Sequence, residues 1–219
     1  SRGLGDVYKR QALRLYILFM APPSDGVEWN DGGIEGTKRF LNKFWENIER
    51  LSKLEVVDSS NNGEIIVRKV NQSINSVSKH LDKFEFNTAV SDLMKLNNEL
   101  SEFLKNSQDI SKNSKDMIIK NICILLFPLA PHIASEIYEN YFGGDLIKIQ
   151  WPVVDTDNLR DPTYELVIQI NGKKRFTRDT DIGLKQSEVE EICKDEFDMN
   201  MSDFKKIIYI QDKIINFVG

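Results

Sequence analysis

Lys173, Lys174, Arg175 and Arg178 fall within the eight residues Asn171 to Arg178, beside one aromatic, Phe176, and no acid. The chain around them is net acidic: 29 Lys and Arg stand against 34 Asp and Glu over 219 residues, a formal charge of −5. Cations concentrated in one short segment of such a chain can meet phosphate oxygens, and at Gly172 the backbone can approach a ligand closely. The segment also reads as a solubilising loop set opposite an acidic helix, and the residues alone leave both readings open. Arg39 and Lys43, on the polar side of a long helix, are a second candidate of the kind any exposed helix face carries. The net charge excludes a uniformly basic nucleic-acid coat but not a local basic patch.

Other chemistry finds little material. Glu188, Glu190, Glu191, Asp195, Glu196 and Asp198 cluster on one predicted helix without the glycine and alternation of a calcium loop, and read as a solvated acidic face. The two histidines, His80 and His132, cannot build a metal centre, and His132 reads as a capping or packing residue at a helix start. Cys123 and Cys193 lie seventy residues apart with no C-x-x-C partner, which excludes a disulfide framework and a cysteine-rich zinc site. Cys123 falls in an apolar helix and is expected to be a buried, inert thiol. Gly32-Gly33-x-x-Gly36 opens a helix with no strand before it, so helix-start packing is the better reading than a phosphate loop. No catalytic residue and no metal ligand is expected in this chain.

The elements that must position the basic segment follow from periodicity. Ala12 to Met20 is a short apolar helix stopped at Pro22-Pro23. Asp31 can cap the next helix, where Ile34, Phe40, Leu41, Phe44, Trp45, Ile48 and Leu51 share one face. Helices are predicted from Glu64 to Leu81, from about Asn87 to Leu104, from Lys115 to Phe127 and from Ile133 to Tyr141, with Asn106 to Ser114 as a loop. The Lys115 to Phe127 segment is apolar nearly all round and should be central. After Gly144 the period shortens. Leu146 to Gln150 reads as a short strand, Glu165 to Ile170 as another, and Asn171-Gly172 as a hairpin turn returning through Arg175 to Arg178. An acidic helix and two closing strands, Lys205 to Ile210 and Ile214 to Val218, complete the chain. The fold class is therefore mainly α: an antiparallel helical bundle over 12–142, a linker over 143–162, and a small α+β domain over 163–219. Residues 1–11 lack periodicity and are expected to be a non-native leader. No run of 18 apolar residues exists and no secretory pattern opens the chain, so a cytoplasmic location with reduced thiols is expected.

Several motifs stand in collinear order. Trp29 with Gly33-Ile34-Glu35-Gly36, Arg39-Phe40-Leu41-Asn42 and Trp45 fits W-x-x-x-G-[IV]-E-G-x-x-R-F-L-x-x-x-W. Phe86-Asn87-Thr88-Ala89, Pro131-His132-Ile133, Trp151-Pro152 and Gln169-Ile170-Asn171-Gly172-Lys173-Lys174-Arg175 follow. Together they resemble the C-terminal part of the bacterial-type leucyl-tRNA synthetase family, class I enzymes, from Ala12 to Gly219. The H-x-G-H and K-M-S-K-S signatures of class I catalysis are missing. Ser111-Lys112-Asn113-Ser114-Lys115 is only faintly similar to the second and lies downstream of the helix that should follow it.

The resemblance implies a bundle of the anticodon-binding type and a small C-terminal domain that hold tRNA(Leu). The ATP- and Mg2+-dependent joining of leucine to that tRNA would belong to domains outside this sequence. It implies no cofactor in this stretch, no membrane, and a monomer. Asn171, Gly172, Lys173, Lys174, Arg175 and Arg178 would meet RNA, with Arg39 and Lys43 as the bundle's contribution. A stand-alone RNA-binding module, a protein-interaction domain using the acidic helix, and the tail of a valine, isoleucine or methionine enzyme are the alternatives.

Overall fold

The computed structural model describes all residues except 1–3, 23, 27, 160–162, 198, 200, 201 and 203, and leaves the side chains of 4–7, 31 and 157 undescribed. Asp198 of the acidic cluster thus lies outside the described residues. The chain divides into two compact units, Ser1–Leu159 and Arg160–Gly219.

In the first unit, α1 (Leu4–Met20) and α2 (Asp31–Lys53) precede the long α3 (Glu64–Asp82), α4 (Phe86–Asn106), α5 (Lys112–Leu126) and α6 (Pro131–Phe142). Helix α1 begins at Leu4, earlier than its apolar pattern, because Gln11 and Tyr8 are engaged. Gln11 Oε1 accepts from the Ile133 amide at 3.1 Å, and the Tyr8 hydroxyl donates to Glu136 at 2.9 Å. Gln11 thereby serves the start of α6, and His132, expected to cap or pack there, is exposed. The cap of α2 is Asn30 rather than Asp31: its Oδ1 accepts from the Gly32 amide at 2.8 Å. Gly33 abuts the ring of Tyr16, where a Cβ would fall 2.2 Å from a ring carbon, so the glycine cluster serves close packing.

Helix α5 is the buried centre the composition predicts: Ile118, Ile119, Ile122, Cys123, Leu125 and Leu126 are all buried. Ser111 caps it by accepting from the Ser114 amide, so the helix starts three residues before the expected Lys115. The preceding loop contributes β2 (Asp109–Ile110), which pairs in parallel with β1 (Glu55–Val56). Pro131 sits at the first turn of α6, where its missing N–H costs nothing, and Gly143 at φ 69° ends that helix.

Leu146 to Gln150 does not form the expected strand. Asp145 Oδ1 accepts from the Ile147 amide, and Leu146–Lys148 closes as a 3-10 turn with Leu146 in the bundle core. The residues beyond are strapped to α3. Asn71 accepts from the Asp155 amide at 2.8 Å and donates to the Asp155 carbonyl at 2.6 Å, and Gln72 donates to Leu159.

The second unit is a four-stranded sheet in the order β4-β3-β6-β5, with α7 (Gln186–Phe197) between β4 (Lys173–Asp181) and β5 (Lys206–Ile210). Strand β3 (Thr163–Ile170) pairs antiparallel with β4 and parallel with β6 (Ile214–Val218), which pairs antiparallel with β5. Leu166, Ile168, Ile215 and Phe217 pack with Val189 and Cys193 of α7, so one sheet face is covered. The alternate residues form the other face, which the unit leaves open.

Candidate nucleic-acid interface

The Asn171-Gly172 turn holds both residues at positive φ, 51° and 76°. This is the conformation that matches the twist of a two-residue hairpin and that Asn and Gly tolerate best. The turn is locked to the neighbouring strand. Asn171 N–H donates to the Phe217 carbonyl at 2.8 Å, Gly172 N–H to Asn216 Oδ1 at 3.0 Å, and Gly219 N–H to Asn171 Oδ1 at 3.0 Å. The start of β4 is therefore pinned at the end of the sheet.

The register then separates the four cations. Ile168 pairs with Phe176 but Gln169 pairs with Lys174, so Arg175 is the extra residue of a β-bulge. Lys173, opposite Ile170, and Arg175 are exposed and have no ion-pair partner among the described residues. Lys174, opposite Gln169, lies on the open face and reaches Glu165 at 3.7 Å with both side chains well exposed, an interaction of little energy. Arg178 pairs with Leu166 and so belongs to the covered face. Its Nη2 donates to Glu196 Oε1 of α7 at 2.7 Å. That ion pair engages Arg178 with α7, whereas Lys173 and Arg175 are not so engaged among the described residues. Two residues before it on β4, Phe176 stacks on Phe197 with centroids 4.6 Å apart.

Sequence reasoning missed two members of this surface. Lys206 pairs with Val218, and the Lys205 amide donates to the Val218 carbonyl at 2.8 Å. Both lysines are exposed at the end of the sheet that carries the hairpin turn. The signal was the dipeptide opening the penultimate strand. Its placement depends on pairing across three strands, which local pattern does not supply. Lys173, Lys174, Arg175, Lys205 and Lys206 thus gather at one sheet end. Glu188, Glu191, Asp195 and Glu196 are displayed on α7, where with Arg178 they line an acidic cleft of about 330 Å³.

On the bundle, Arg39 is exposed with no hydrogen-bond or ion-pair partner among the described residues. Lys43 Nζ donates to Asn98 Oδ1 of α4 at 3.1 Å and is partly committed to that contact. Both thiols are free and buried. Burial pushes the Cys123 thiol up to about 12 and the Cys193 thiol up to about 11. His80 Nδ1 is 2.9 Å from Asp92 Oδ2, bracing α3 against α4.

Residues 64–194 match the model of a family described as the anticodon-binding domain of tRNA ligase. The leucine–tRNA ligase of Petrotoga mobilis is 38% identical over 228 residues, covering 96% of this chain and 27% of that protein. That of Thermosipho melanesiensis is 34% identical over 225 residues, with the same two coverages. The chain thus spans about a quarter of the length of these relatives. In fold it is similar to the LeuRS of Agrobacterium radiobacter K84, solved as a LeuRS-tRNA-LeuAMS ternary complex. The TM-score is 0.69 at 23% identity over 99% of this chain and 29% of that one.

Proposed function

Because the chain belongs to the family of the anticodon-binding domain of tRNA ligases, we propose that it is the tRNA-holding, C-terminal portion of a leucine–tRNA ligase. The observation that carries this reading is the gathering of five exposed cations at one end of the small sheet, in a chain of net charge −5. Such a cluster suits a phosphate backbone, and recognition of a folded RNA rests on shape and backbone more than on base edges.

The task is positioning. Lys173 and Arg175 meet phosphates, and the locked Asn171-Gly172 turn holds them in place. Lys174 contributes after leaving Glu165, and Arg39 adds a bundle contact. The acidic cleft on α7 repels phosphate and helps select the docking face. Holding the RNA fixes where its acceptor end enters a separate active site, and an ångström of misplacement there costs ~100-fold in rate. Neither class I signature is in this sequence, and no group of three metal-capable side chains exists among the described residues. The reading makes the chain a cytoplasmic monomer; no helix among the described residues is long and apolar enough to cross a membrane.

The test is anisotropy titration of labelled tRNA(Leu) transcript at low salt. Lys173→Ala with Arg175→Ala should weaken binding and lower the salt slope by about 2, one per phosphate contact. Unchanged affinity and slope would reject the hairpin as the contact. The purified chain given leucine and ATP should form no leucyl-adenylate; measurable product would refute the division of labour.

A further inference from the structure

Independently of the RNA-holding reading, we propose that the polar cavity of about 610 Å³ at the starts of α3 and α5 is a phosphate-binding pocket whose recognising group is Arg68. Arg68 is partly buried, and its Nε is sealed from solvent with no hydrogen-bond partner. Its other nitrogens form no hydrogen bond or ion pair among the described residues either. A guanidinium carries five donors and keeps its charge at any working pH. Leaving such a group unpaired away from water is costly, so it calls for an acceptor that the described residues do not supply. Glu64 stands four residues earlier on α3, the order that best suits a helical ion pair, and yet no ion pair forms.

The loops that carry the walls are tied together. Strands β1 and β2 pair in parallel, and Ser60 Oγ and Asn62 Nδ2 both donate to Asp109 Oδ1, which joins the loop before α3 to the loop before α5. Gly63, at φ 104°, is the N-cap of α3 and offers no side-chain cap. A Cβ there would fall 2.9 Å from Ile110 Cδ1, so the close approach of the two loops requires glycine. The first turns of α3 and α5 both line the cavity, and the partial positive charge of helix N-termini favours an anion. Ser111 and Ser114 add hydroxyls, and Lys112 adds a cation that it shares with Asp116 at 3.3 Å. Asp58 and Glu64 also line the cavity. Both are exposed, so water and salt screen them, whereas the Arg68 Nε is out of reach of water. The buried guanidinium therefore sets the sign of the ligand, and the two exposed acids hold its affinity down. A phosphate offers oxygens spaced for the guanidinium fork and further acceptors for the hydroxyls.

Inorganic phosphate is the probe, titrated into the chain at constant ionic strength while backbone-amide NMR shifts are followed. The amides of Glu64 and Asn113 should shift saturably. Arg68→Met, which keeps the reach of the side chain and removes its donors, should weaken this binding about tenfold or more. Lys120→Met, the same change of charge at an exposed position of α5 outside the cavity, should bind like the parent. Asp58→Asn with Glu64→Gln should tighten binding about threefold, by lifting the repulsion of screened surface charges. No saturable shift, or equal binding by the parent and Arg68→Met, overturns the pocket. Weaker binding by the Asp58→Asn, Glu64→Gln protein would show a ligand that also needs the acids, and overturns the phosphate assignment. In the absence of phosphate, Arg68→Met should unfold in urea at or above the midpoint of the parent, because it removes an unpaired cation. A lower midpoint would show that Arg68 is paired within the chain and also overturns the proposal. The source of the phosphate is read from tRNA(Leu) titrated across a salt series. A slope lowered by about 1 in Arg68→Met identifies a backbone phosphodiester, and an unchanged slope identifies a free phosphate ester; either result, with the phosphate titration positive, supports the pocket.

Discussion

Arg178 Nη2 and Glu196 Oε1 stand 2.7 Å apart, tying β4 to the last turn of α7. The pair is partly exposed, with side-chain accessibilities of 32% and 46%, so it contributes at most about 1 kcal/mol. It does decide where the guanidinium goes. Arg178→Ala should leave tRNA affinity and its salt slope within error of the parent while lowering the urea midpoint slightly. A drop in slope equal to that of Lys173→Ala would return Arg178 to the RNA face.

The same pair shows where sequence legibility ends. Arg175 and Arg178 read alike in the motif. Alternation alone cannot tell that Arg175 occupies a bulge while Arg178 keeps the register of Leu166. What repeats locally was legible: the apolar face of α2, the all-round apolar α5, the Asn-Gly turn and the order of bundle and α+β unit. The motif resemblance to leucyl-tRNA synthetases is the one the relatives carry. What depends on non-local partners was not legible. Leu146 turns into a 3-10 helix because Asp145 caps it, and Lys205-Lys206 join the hairpin only through β6. Asn30 caps α2 in place of Asp31 because its amide oxygen reaches the Gly32 N–H.

Cys123 and Cys193 should resist alkylation in the folded chain. Both are fully buried, and burial holds their thiols near 12 and 11, so the thiolate is scarce even at pH 9. Mass-spectrometric labelling with iodoacetamide should modify neither thiol within the time that modifies both in denaturant. Rapid native labelling at Cys123 would mean that α5 opens.

Lys115 is buried on α5, and its Nζ donates to the carbonyls of Ser52 at 3.0 Å and Leu54 at 2.7 Å at the end of α2. Lys115→Met leaves those carbonyls without a donor and should cost about 1–3 kcal/mol in urea denaturation. Burial lowers the lysine below its ordinary 10.5 in the folded state. The folded state therefore releases its proton before the unfolded one as pH rises toward 10.5. In that window the parent gains stability relative to Lys115→Met. The difference in midpoint between the two proteins should widen from pH 7 to pH 10; a narrowing would show that the charge, rather than its desolvation, dominates.

Lys205 and Lys206 test whether the cations at the end of the sheet act as one surface. They come from a different strand than the hairpin and share no partner with Lys173 or Arg175. If all face one phosphate backbone, substituting any one of these cations reduces the counterions released on binding by about one, whatever strand it came from. Lys205→Ala with Lys206→Ala should then lower the salt slope by about 2, and combining it with Lys173→Ala and Arg175→Ala should lower it by about 4. The decreases in binding free energy should add, because sites without shared partners couple weakly. A pair of lysine substitutions that leaves the slope of the parent unchanged would confine the RNA contact to the hairpin and make Lys205 and Lys206 solvated edge charges, of the kind that keep an exposed strand from pairing with another chain.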